Sequence, residues 1–409
     1  MEKSEFYKNA RDDLPGPLAG VRVVESTTTW AGPMAGCVLA DMGATVIKVE
    51  HPAGEVIRRL PPMLPDSHLF LPNETVNRNK QNVTIDLHKP QGVEIFLKLA
   101  ATADIVIENF RPGTMAAWGV GYEHVAARNP SVVYVSVSGY GQFGPLSERV
   151  GYDPIAQFAS GWASLNGEPD GPPVKAGTFL CDDLAGMHGA VAALAGLHHA
   201  KQTGEGQHVD VALIDAAQFQ SNGNLTAGAM GMNLERWGSQ FSIAAPINRY
   251  ECKEGHVFAG VLLDTHWQRL AEIMGKPELA TDERYATNLA RVQPENRAYL
   301  DKVVAEWCAG LTADEVENIF EEAGLPATRV NTYEESAAKP HTDARDMLQP
   351  TKLADGSTIP VTGPAAKFSR TPTKVRTAAQ PLGADTQQVL TELGYGEDEI
   401  EGFTADQVV

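Results

Sequence analysis

Residues 20–49 read GVRVVESTTTWAGPMAGCVLADMGATVIKV, and this stretch decides the fold. Residues 20–25 (GVRVVE) are rich in β-branched side chains, which indicates a buried strand. A helix is predicted to begin near Pro33, because proline suits the first turn of a helix. Residues 45–49 (TVIKV) predict the next strand. A strand, a helix and a strand in this order form a βαβ unit, from which parallel sheets are built.

The same alternation continues along the chain. A helix from Pro90 leads to a strand at residues 104–107, and another strand follows at residues 131–137. Further on, a helix over residues 184–200 precedes a strand at residues 208–214. This helix has almost no polar face, so we expect it to be buried. The pattern predicts an α/β domain with a parallel sheet and helices on its faces.

Beyond residue 222 the chain becomes rich in glycine and polar residues, and the types of element change. Two strands are predicted within residues 249–262, and a helix at residues 267–274. Thr312 and Glu315 have the spacing of a capping box that opens a further helix. These features predict a smaller α+β domain. The predicted domains are residues 1–223 (large), 224–345 (small, with linkers) and 346–409 (a connector that returns to the large domain).

Composition excludes several classes of function. The net charge is −19 and no run of Lys or Arg is present, so nucleic acid is not an expected partner. The four cysteines show no metal-ligand spacing and suggest reduced thiols. The N-terminus has no apolar signal, and no stretch is apolar enough to span a membrane. We therefore predict a cytoplasmic protein without membrane contact.

Several segments contain candidate ligand-binding residues. Trp30 and Ala31 open a helix after a strand, where free N–H groups favour an anion, although ordinary helix–strand packing explains small residues there equally well. Other candidates are cations near strand ends, which suit phosphates but are often plain surface charges: Lys48, His51, Arg78 and Lys80.

The motif ENFRPG follows the strand at residues 104–107 and supplies Asn109, Phe110 and Arg111. Open α/β sheets bind ligands at the carboxyl ends of their strands, so these residues are candidate ligand contacts. A plain turn is the alternative, because Arg-Pro-Gly is good turn chemistry.

Asp182 and Asp183 precede the long apolar helix. One of them is expected to cap that helix. A carboxylate held beside a buried helix is also desolvated, which raises its reactivity toward a thioester. Metalloprotease, Walker and nucleophile-elbow motifs are absent, as is GxGxxG in the first strand–helix turn, so we expect neither a metal site nor a bound NAD.

In their order and spacing these segments resemble the family III CoA-transferases, also called the carnitine dehydratase and bile-acid-inducible protein family. The resemblance covers nearly the whole chain and rests on motifs that include WAGPMAG, LADMGATVIKVEHPAG, NRNKQNVTIDL, ENFRPGTM, GYDPIAQ, CDDLAGMHGAVAALAGLHHA and LGADTQQVLTELGY.

The resemblance implies a Rossmann-like large domain, a smaller domain and an interlocked homodimer, with a heteromer of paralogues as another possibility. It implies that coenzyme A or acyl-CoA is a substrate, that a free carboxylic acid is the second substrate, and that no cofactor is permanently bound. It places CoA near Trp30, Lys48, Lys80, Asn109 and Phe110. It makes Asp182 the nucleophile, which forms a mixed anhydride and then a CoA thioester.

Two departures from the family's patterns bear on function. Related acyl-CoA racemases carry a catalytic His where this chain has Tyr152, which disfavours a racemase-like isomerase. Asp153, next in the chain, matches an acidic residue of formyl-CoA transferases and is a second catalytic candidate. Ala117 replaces an Arg that meets substrate carboxylates in many relatives, which leaves open a CoA-binding subunit of a heteromer. Trp30 favours a bulky or aromatic acyl group.

Overall fold

The structure is a computed structural model that describes all residues from Met1 to Val409. The chain forms two compact units. The first comprises Met1–Ala163, Lys175–Met232 and Pro340–Val409, and the second comprises Ser164–Val174 and Asn233–Lys339. The domain limits drawn from the sequence, after residues 223 and 345, stay a prediction.

Eleven strands form three sheets. The strands are β1 (Arg22–Ser26), β2 (Thr45–Glu50), β3 (Lys80–Thr84), β4 (Ile105–Glu108), β5 (Val133–Ser138), β6 (Gln207–Ala212), β7 (Ile247–Glu251), β8 (His256–Gly260), β9 (Ala327–Arg329), β10 (Leu348–Lys352) and β11 (Thr358–Thr362). The first six form a fully parallel sheet in the order β3-β2-β1-β4-β5-β6. This is the strand order of a doubly wound Rossmann sheet, which confirms the predicted α/β fold.

Helices cover both faces of the parallel sheet, and further helices pack against the three-stranded sheet β7-β8-β9. In chain order they are α1 (Lys3–Phe6), α2 (Ala31–Asp41), α3 (Leu71–Val76), α4 (Pro90–Ala100), α5 (Thr114–Ala117), α6 (Tyr122–Ala126), α7 (Asp153–Ala159), α8 (Leu180–Thr203), α9 (Leu213–Phe219), α10 (Asn224–Ala229), α11 (Asp264–Ile273), α12 (Glu278–Thr281), α13 (Asn288–Arg291), α14 (Pro294–Cys308), α15 (Ala313–Glu322), α16 (Tyr333–Ala337), α17 (Pro340–Ala344), α18 (Thr386–Glu392) and α19 (Glu397–Ala405). Two single 3-10 turns lie at Val56–Arg59 and Trp162–Leu165. None of the helices combines the length and the apolar character that a bilayer span needs.

Alternate side chains of the parallel strands point to opposite faces of the sheet, and each face has its own apolar core. Val23, Val135 and their neighbours pack against α2 and α8. Val24, Ile47 and their neighbours pack against α4, α18 and α19. The C-terminal helices therefore complete the second face, which explains why the end of the chain belongs to the first unit.

Helix α8 differs from its prediction in two respects. It begins at Leu180, four residues before the predicted start, and it is not buried all round. Its small residues press on the sheet: a Cβ added at Gly196 would lie 2.7 Å from Cγ1 of Val133. The opposite side is exposed although it is apolar, with Met187 48% and Val191 61% accessible. Small residues serve close packing on one side of the helix, and the apolar outer side is left largely exposed.

The second unit contains the antiparallel sheet β7-β8-β9 and helices α11 to α16. The predicted hairpin is confirmed: β7 and β8 pair from Ile247↔Gly260 to Glu251↔His256. The predicted capping box is confirmed as well, because the Thr312 hydroxyl accepts from the backbone N–H of Glu315 and the Glu315 carboxylate accepts from that of Thr312. A separate apolar core surrounds Trp267. All four cysteines of the chain are free and buried.

Candidate active site

The order of the parallel sheet reverses between β1 and β4, and the loops that follow these two strands lie side by side. The Asn109 side chain joins them: its Oδ1 accepts from the Thr28 backbone N–H at 2.7 Å, and its Nδ2 donates to the Thr28 carbonyl at 2.8 Å. In open α/β sheets, this crevice at the carboxyl ends of the strands is where ligands bind. The two loops thus form a candidate site.

Close packing of α8 on α2 brings the start of α8 to the same place. A Cβ added at Gly186 would lie 2.8 Å from the Met34 Cβ and 3.0 Å from the Ala31 carbonyl oxygen. Only glycine allows this approach without displacing a neighbour. Asp182 lies one helical turn earlier and therefore faces the first turn of α2.

A cavity of about 290 Å³ opens between these elements. It gathers most of the residues that the sequence had singled out: Trp30, Ala31, Asn109, Phe110, Arg111 and Asp182. Its remaining wall includes Arg149 and Tyr152, which the sequence analysis had not assigned to ligand binding. Arg111 donates to the Glu148 carbonyl at 2.7 Å, and both arginines are exposed. The cavity therefore combines a carboxylate, an indole and two guanidinium groups.

Neither Asp182 nor Asp183 caps α8, so that prediction is wrong. Both lie inside the first turn, and Phe179 at the N-cap makes no side-chain capping bond. The cap comes from α7 instead: Asp153 Oδ1 accepts from the backbone N–H of Cys181 at 2.7 Å and of Asp182 at 3.4 Å. Asp153 is only 2% exposed, and its Oδ2 accepts from Gln157 Nε2 at 2.7 Å. Its geometry is that of a helix cap next to the candidate nucleophile.

Asp183 binds a side chain from the facing loop. Trp30 Nε1 donates to Asp183 Oδ1 at 2.6 Å. The indole also meets the Phe179 ring edge-on, with ring centroids 5.1 Å apart. Trp30 is thereby tied to the first turn of α8 at two points.

The pKa values of Asp182 and Asp183 are both raised at this helix end. Burial raises the pKa of Asp182 to about 7, helped by the negative charges of Asp153 and Asp183. Burial also raises the pKa of Asp183, against the effect of the hydrogen bond from Trp30. Asp182 is thus held in a site that disfavours its charge, which is common for reactive groups.

Three predicted cation sites lie elsewhere. Lys48 is 1% exposed and forms ion pairs with Glu55 at 2.8 Å and Glu25 at 3.6 Å. Lys80 is also buried and donates to Glu25 Oε1 at 2.8 Å and to the Pro33 carbonyl at 2.8 Å.

Arg78 is likewise buried and pairs with Asp41 at 2.6 Å. Lys48, Arg78 and Lys80 line neither the cavity of Asp182 nor the adjacent one described below. These contacts give the three cations a structural role, and their binding to CoA stays a prediction that the geometry does not support.

A second cavity of about 350 Å³ adjoins the first and shares Thr28 and Phe110 with it. Its walls are largely apolar and include Trp118, and His51 lies at its edge with an exposed side chain. Asp182 lines the first cavity and His51 the second, and Phe110 lies in the wall that the two cavities share.

His51 belongs to a small cluster with Asp86 and His88 that has the composition of a metal site. His51 Nε2 lies 3.7 Å and His88 Nδ1 lies 2.9 Å from Asp86 Oδ1. However, the Ala53 backbone N–H donates to His51 Nδ1 at 3.0 Å, so the proton of the neutral ring is on Nε2. A metal at Nε2 requires the opposite tautomer. The cluster fits a carboxylate shared by two imidazoles better than it fits a divalent metal.

Glu55 supports the loop after β1 and was missed by the sequence analysis. Its Oε2 accepts from the backbone N–H of Thr29 at 2.7 Å, and its Oε1 pairs with Lys48. Thr29 has a φ of 65°, a conformation that costs energy for a β-branched residue. The buried Glu55–Lys48 pair holds this strained turn in place beside Trp30.

Sequence comparison gives the site its family context. The family model of CoA-transferase family III matches residues 18–386 of this chain. This chain belongs to CoA-transferase family III. The family prediction made from its motifs is therefore confirmed.

Relatives of this family III chain are similar over almost their full length. Succinyl-CoA–D-citramalate CoA-transferase of Chloroflexus aurantiacus is 36% identical over 408 residues, which cover 97% of this chain and 98% of the relative. The β subunit of succinyl-CoA–L-malate CoA-transferase from the same organism is 35% identical over 402 residues, with 96% and 98% covered. A crystal structure of a CAIB/BAIF family protein from Brucella suis matches with a TM-score of 0.82 and 33% identity, covering 93% of this chain and 100% of that one.

Proposed function

We propose that the chain moves CoA between two carboxylic acids and that Asp182 carries the acyl and CoA groups in turn. The observation that carries the proposal is the position of Asp182: it lines a cavity at the ligand-binding edge of the sheet, where burial and two neighbouring carboxylates raise its pKa to about 7. In its ionised form, a carboxylate with a raised pKa is more basic and therefore more nucleophilic.

The proposed reaction exchanges acyl bonds without an outside energy source. A carboxylate oxygen of Asp182 attacks the carbonyl of the donor thioester, the C–S bond breaks, and a mixed anhydride and CoA thiolate result. The thiolate attacks the aspartyl carbonyl and releases the donor acid, which leaves CoA on Asp182. The acceptor carboxylate then attacks this aspartyl thioester, the C–S bond breaks, and a second mixed anhydride and CoA thiolate result. The thiolate finally attacks the acceptor carbonyl, and the Asp182 carboxylate is regenerated.

The two adjoining cavities suit a long substrate such as acyl-CoA. We place the thioester beside Asp182. We propose that the remainder of CoA extends past Asn109 and Phe110 toward His51. Arg111 lies along the first part of this path. Trp30 and Ala31 line the same cavity as Asp182, and we place the acyl group beside them. No permanently bound cofactor or metal takes part in this scheme.

The acids are proposed from the cavity and from the relatives. Two named relatives use succinyl-CoA, and Arg111 and Arg149 offer guanidinium groups to a carboxylate. We therefore propose a dicarboxylic donor such as succinyl-CoA. The sequence predicted a bulky or aromatic acyl group next to the indole of Trp30, and we assign this group to the acceptor acid.

We further propose that the chain works as an interlocked homodimer in the cytoplasm. The apolar outer side of α8 and the exposed Phe219 ring on α9 are faces that a second copy would cover. Because one relative is named as a β subunit, a heteromer with a paralogue is the alternative.

The test is to trap the aspartyl intermediate. Protein incubated with succinyl-CoA and hydroxylamine should lose activity and carry a hydroxamate on Asp182, located by peptide mass spectrometry. Asp182→Asn should not be labelled, whereas Asp12→Asn, a change at an exposed site in the N-terminal segment, should be labelled like the wild type. Wild-type protein that transfers CoA but is never labelled at Asp182 would refute the mechanism. A racemase would instead exchange an α-proton with deuterated solvent without an acceptor acid.

A further inference from the structure

We infer that Asp183 determines acceptor specificity by fixing the indole of Trp30 as one wall of the acyl cavity. The inference rests on the proposed function, because it assigns a role within the same site. Asp183 would act through Trp30 and is therefore a positioning residue, while its neighbour Asp182 is the proposed nucleophile. The sequence had offered only a helix cap or a bystander for Asp183.

The backbone of Trp30 is fixed, whereas its ring depends on α8. Asn109 and Glu55 hold the preceding residues Thr28 and Thr29 through backbone hydrogen bonds at 2.7 Å each. These bonds fix the backbone from which the Trp30 side chain extends. They leave its ring free to rotate about its side-chain bonds.

Two contacts from α8 remove this freedom. The indole N–H donates to Asp183 Oδ1 at 2.6 Å, and the ring meets the edge of Phe179. A hydrogen bond to an ionised carboxylate is about twice as strong as one between neutral groups. The T-shaped contact with Phe179 is a weaker restraint than a hydrogen bond to a charged group. Asp183 is therefore the main restraint on the orientation of the indole.

The charge of Asp183 is otherwise unfavourable at this position. Burial raises the pKa of Asp183, and the charge of the nearby Asp153 raises it further. Asp183 in turn adds to the effect of burial on the pKa of Asp182, which stands in the same helical turn. The only side-chain donor that contacts Asp183 is the indole of Trp30. If this side chain had no hydrogen-bond partner, an uncharged residue would be more stable at this position. A side chain that anchors an N–H group, in contrast, binds it more strongly when the side chain is charged.

The consequence concerns the acceptor acid. A fixed indole presents a flat surface to a planar acyl group, and it orders that group at no further entropic cost. A freely rotating indole loses this advantage. Loss of the Asp183 anchor should therefore reduce transfer to aromatic acceptors more than transfer to small aliphatic ones.

The experiment measures CoA transfer from succinyl-CoA to benzoate and to propionate. For Asp183→Ala we expect the ratio of kcat/KM values, benzoate over propionate, to fall about tenfold relative to the wild type. Asp183→Asn keeps an oxygen that accepts the indole N–H, so its ratio should stay within about threefold of the wild type. Trp30→Phe lacks the N–H, and combining it with Asp183→Ala should add no further loss.

Two results would overturn the inference. One is an unchanged ratio in Asp183→Ala. The other is an equal loss for both acceptors, which would indicate a general structural defect. A second measurement is independent of turnover: acrylamide quenching of the Trp30 fluorescence, taken as the difference between each protein and its Trp30→Phe counterpart, should increase in Asp183→Ala.

If the wild type transfers no CoA at all, the proposed function fails. The quenching measurement then still decides whether Asp183 fixes Trp30. Unchanged quenching would show that it does not.

Discussion

Replacing Asp182 by asparagine should stabilise the folded chain above neutral pH while it removes the proposed nucleophile. The reason lies in the site: the ionised carboxylate is partly buried beside Asp153 and Asp183, and both neighbours carry the same charge. An amide of nearly the same shape has no charge to desolvate. A site tuned for reactivity is expected to cost stability in this way.

The size of the effect follows from the pKa. In the folded chain the pKa of Asp182 rises from 3.8 to about 7. Each pKa unit corresponds to about 1.36 kcal/mol, so the ionised form costs up to about 4 kcal/mol. Because the side chain is only partly buried and water screens its charge, we expect a gain of about 1 to 3 kcal/mol for Asp182→Asn.

The gain should depend on pH. Between about pH 4 and pH 7 the folded chain keeps the proton on Asp182 whereas the unfolded chain has lost it. The proton on Asp182 therefore contributes to the free energy of unfolding of the wild type. This contribution is fully present below about pH 4 and is lost as the pH rises through about 7. The asparagine variant has no such loss. Its advantage over the wild type is therefore small in acid and complete at about pH 8.

Differential scanning calorimetry at equal protein concentrations measures this. In Asp182→Asn the midpoint at pH 8 should rise by roughly 2 °C for each kcal/mol gained, and at pH 5 by less than half as much. Asp12→Asn removes an exposed carboxylate and should show no such pH dependence. If Asp182→Asn were no more stable than the wild type at pH 8, the ionised Asp182 carboxylate would not destabilise the folded chain.

Three further results are expected. Glu25→Gln should lower the free energy of unfolding by about 3 to 5 kcal/mol in urea, because it leaves the buried Lys80 ammonium without its charged partner; a loss below about 1 kcal/mol would contradict this. Gly196→Ala should cost about 1 to 3 kcal/mol, because the new methyl group would meet Val133 at 2.7 Å; an unchanged midpoint would mean that the helix moves freely. In steady-state assays, kcat/KM for succinyl-CoA should fall tenfold per pH unit below about 7, where Asp182 is protonated; a flat profile down to pH 5 would exclude it as the titrating nucleophile.

The elements of the fold could be predicted because each depends on local pattern. Alternating β-branched runs and helices gave the parallel sheet, and the Thr312 capping box is contained within four residues. Boundaries were less accurate. The strand predicted to reach residue 214 ends at Ala212, because Leu213 already begins the next helix. Apolar side chains suit both a strand and a buried helix, so composition does not separate them.

The site was predictable in part. Trp30 and Asn109 come together because the carboxyl ends of parallel strands share one edge of the sheet, and the packing of α8 on α2 brings Asp182 to the same place. The role of Lys80 was not predictable, since its partner Glu25 is 55 residues away in sequence and on another strand. Arg149 lies in an irregular loop without any motif, so no local signal pointed to it.

The capping of α8 shows how tertiary contacts reverse a local rule. A carboxylate in the first turn of a helix is normally stabilised by free backbone N–H groups and has a lowered pKa. Here the buried Asp153 accepts from the N–H groups of Cys181 and Asp182, so these donors are already used. Burial, together with the charges of Asp153 and Asp183, raises the pKa of Asp182 to about 7. The first turn of a helix ordinarily lowers the pKa of a carboxylate, whereas at this helix end the pKa is raised. The carboxylate of Asp182 is therefore more basic, and a more basic carboxylate attacks a thioester more readily.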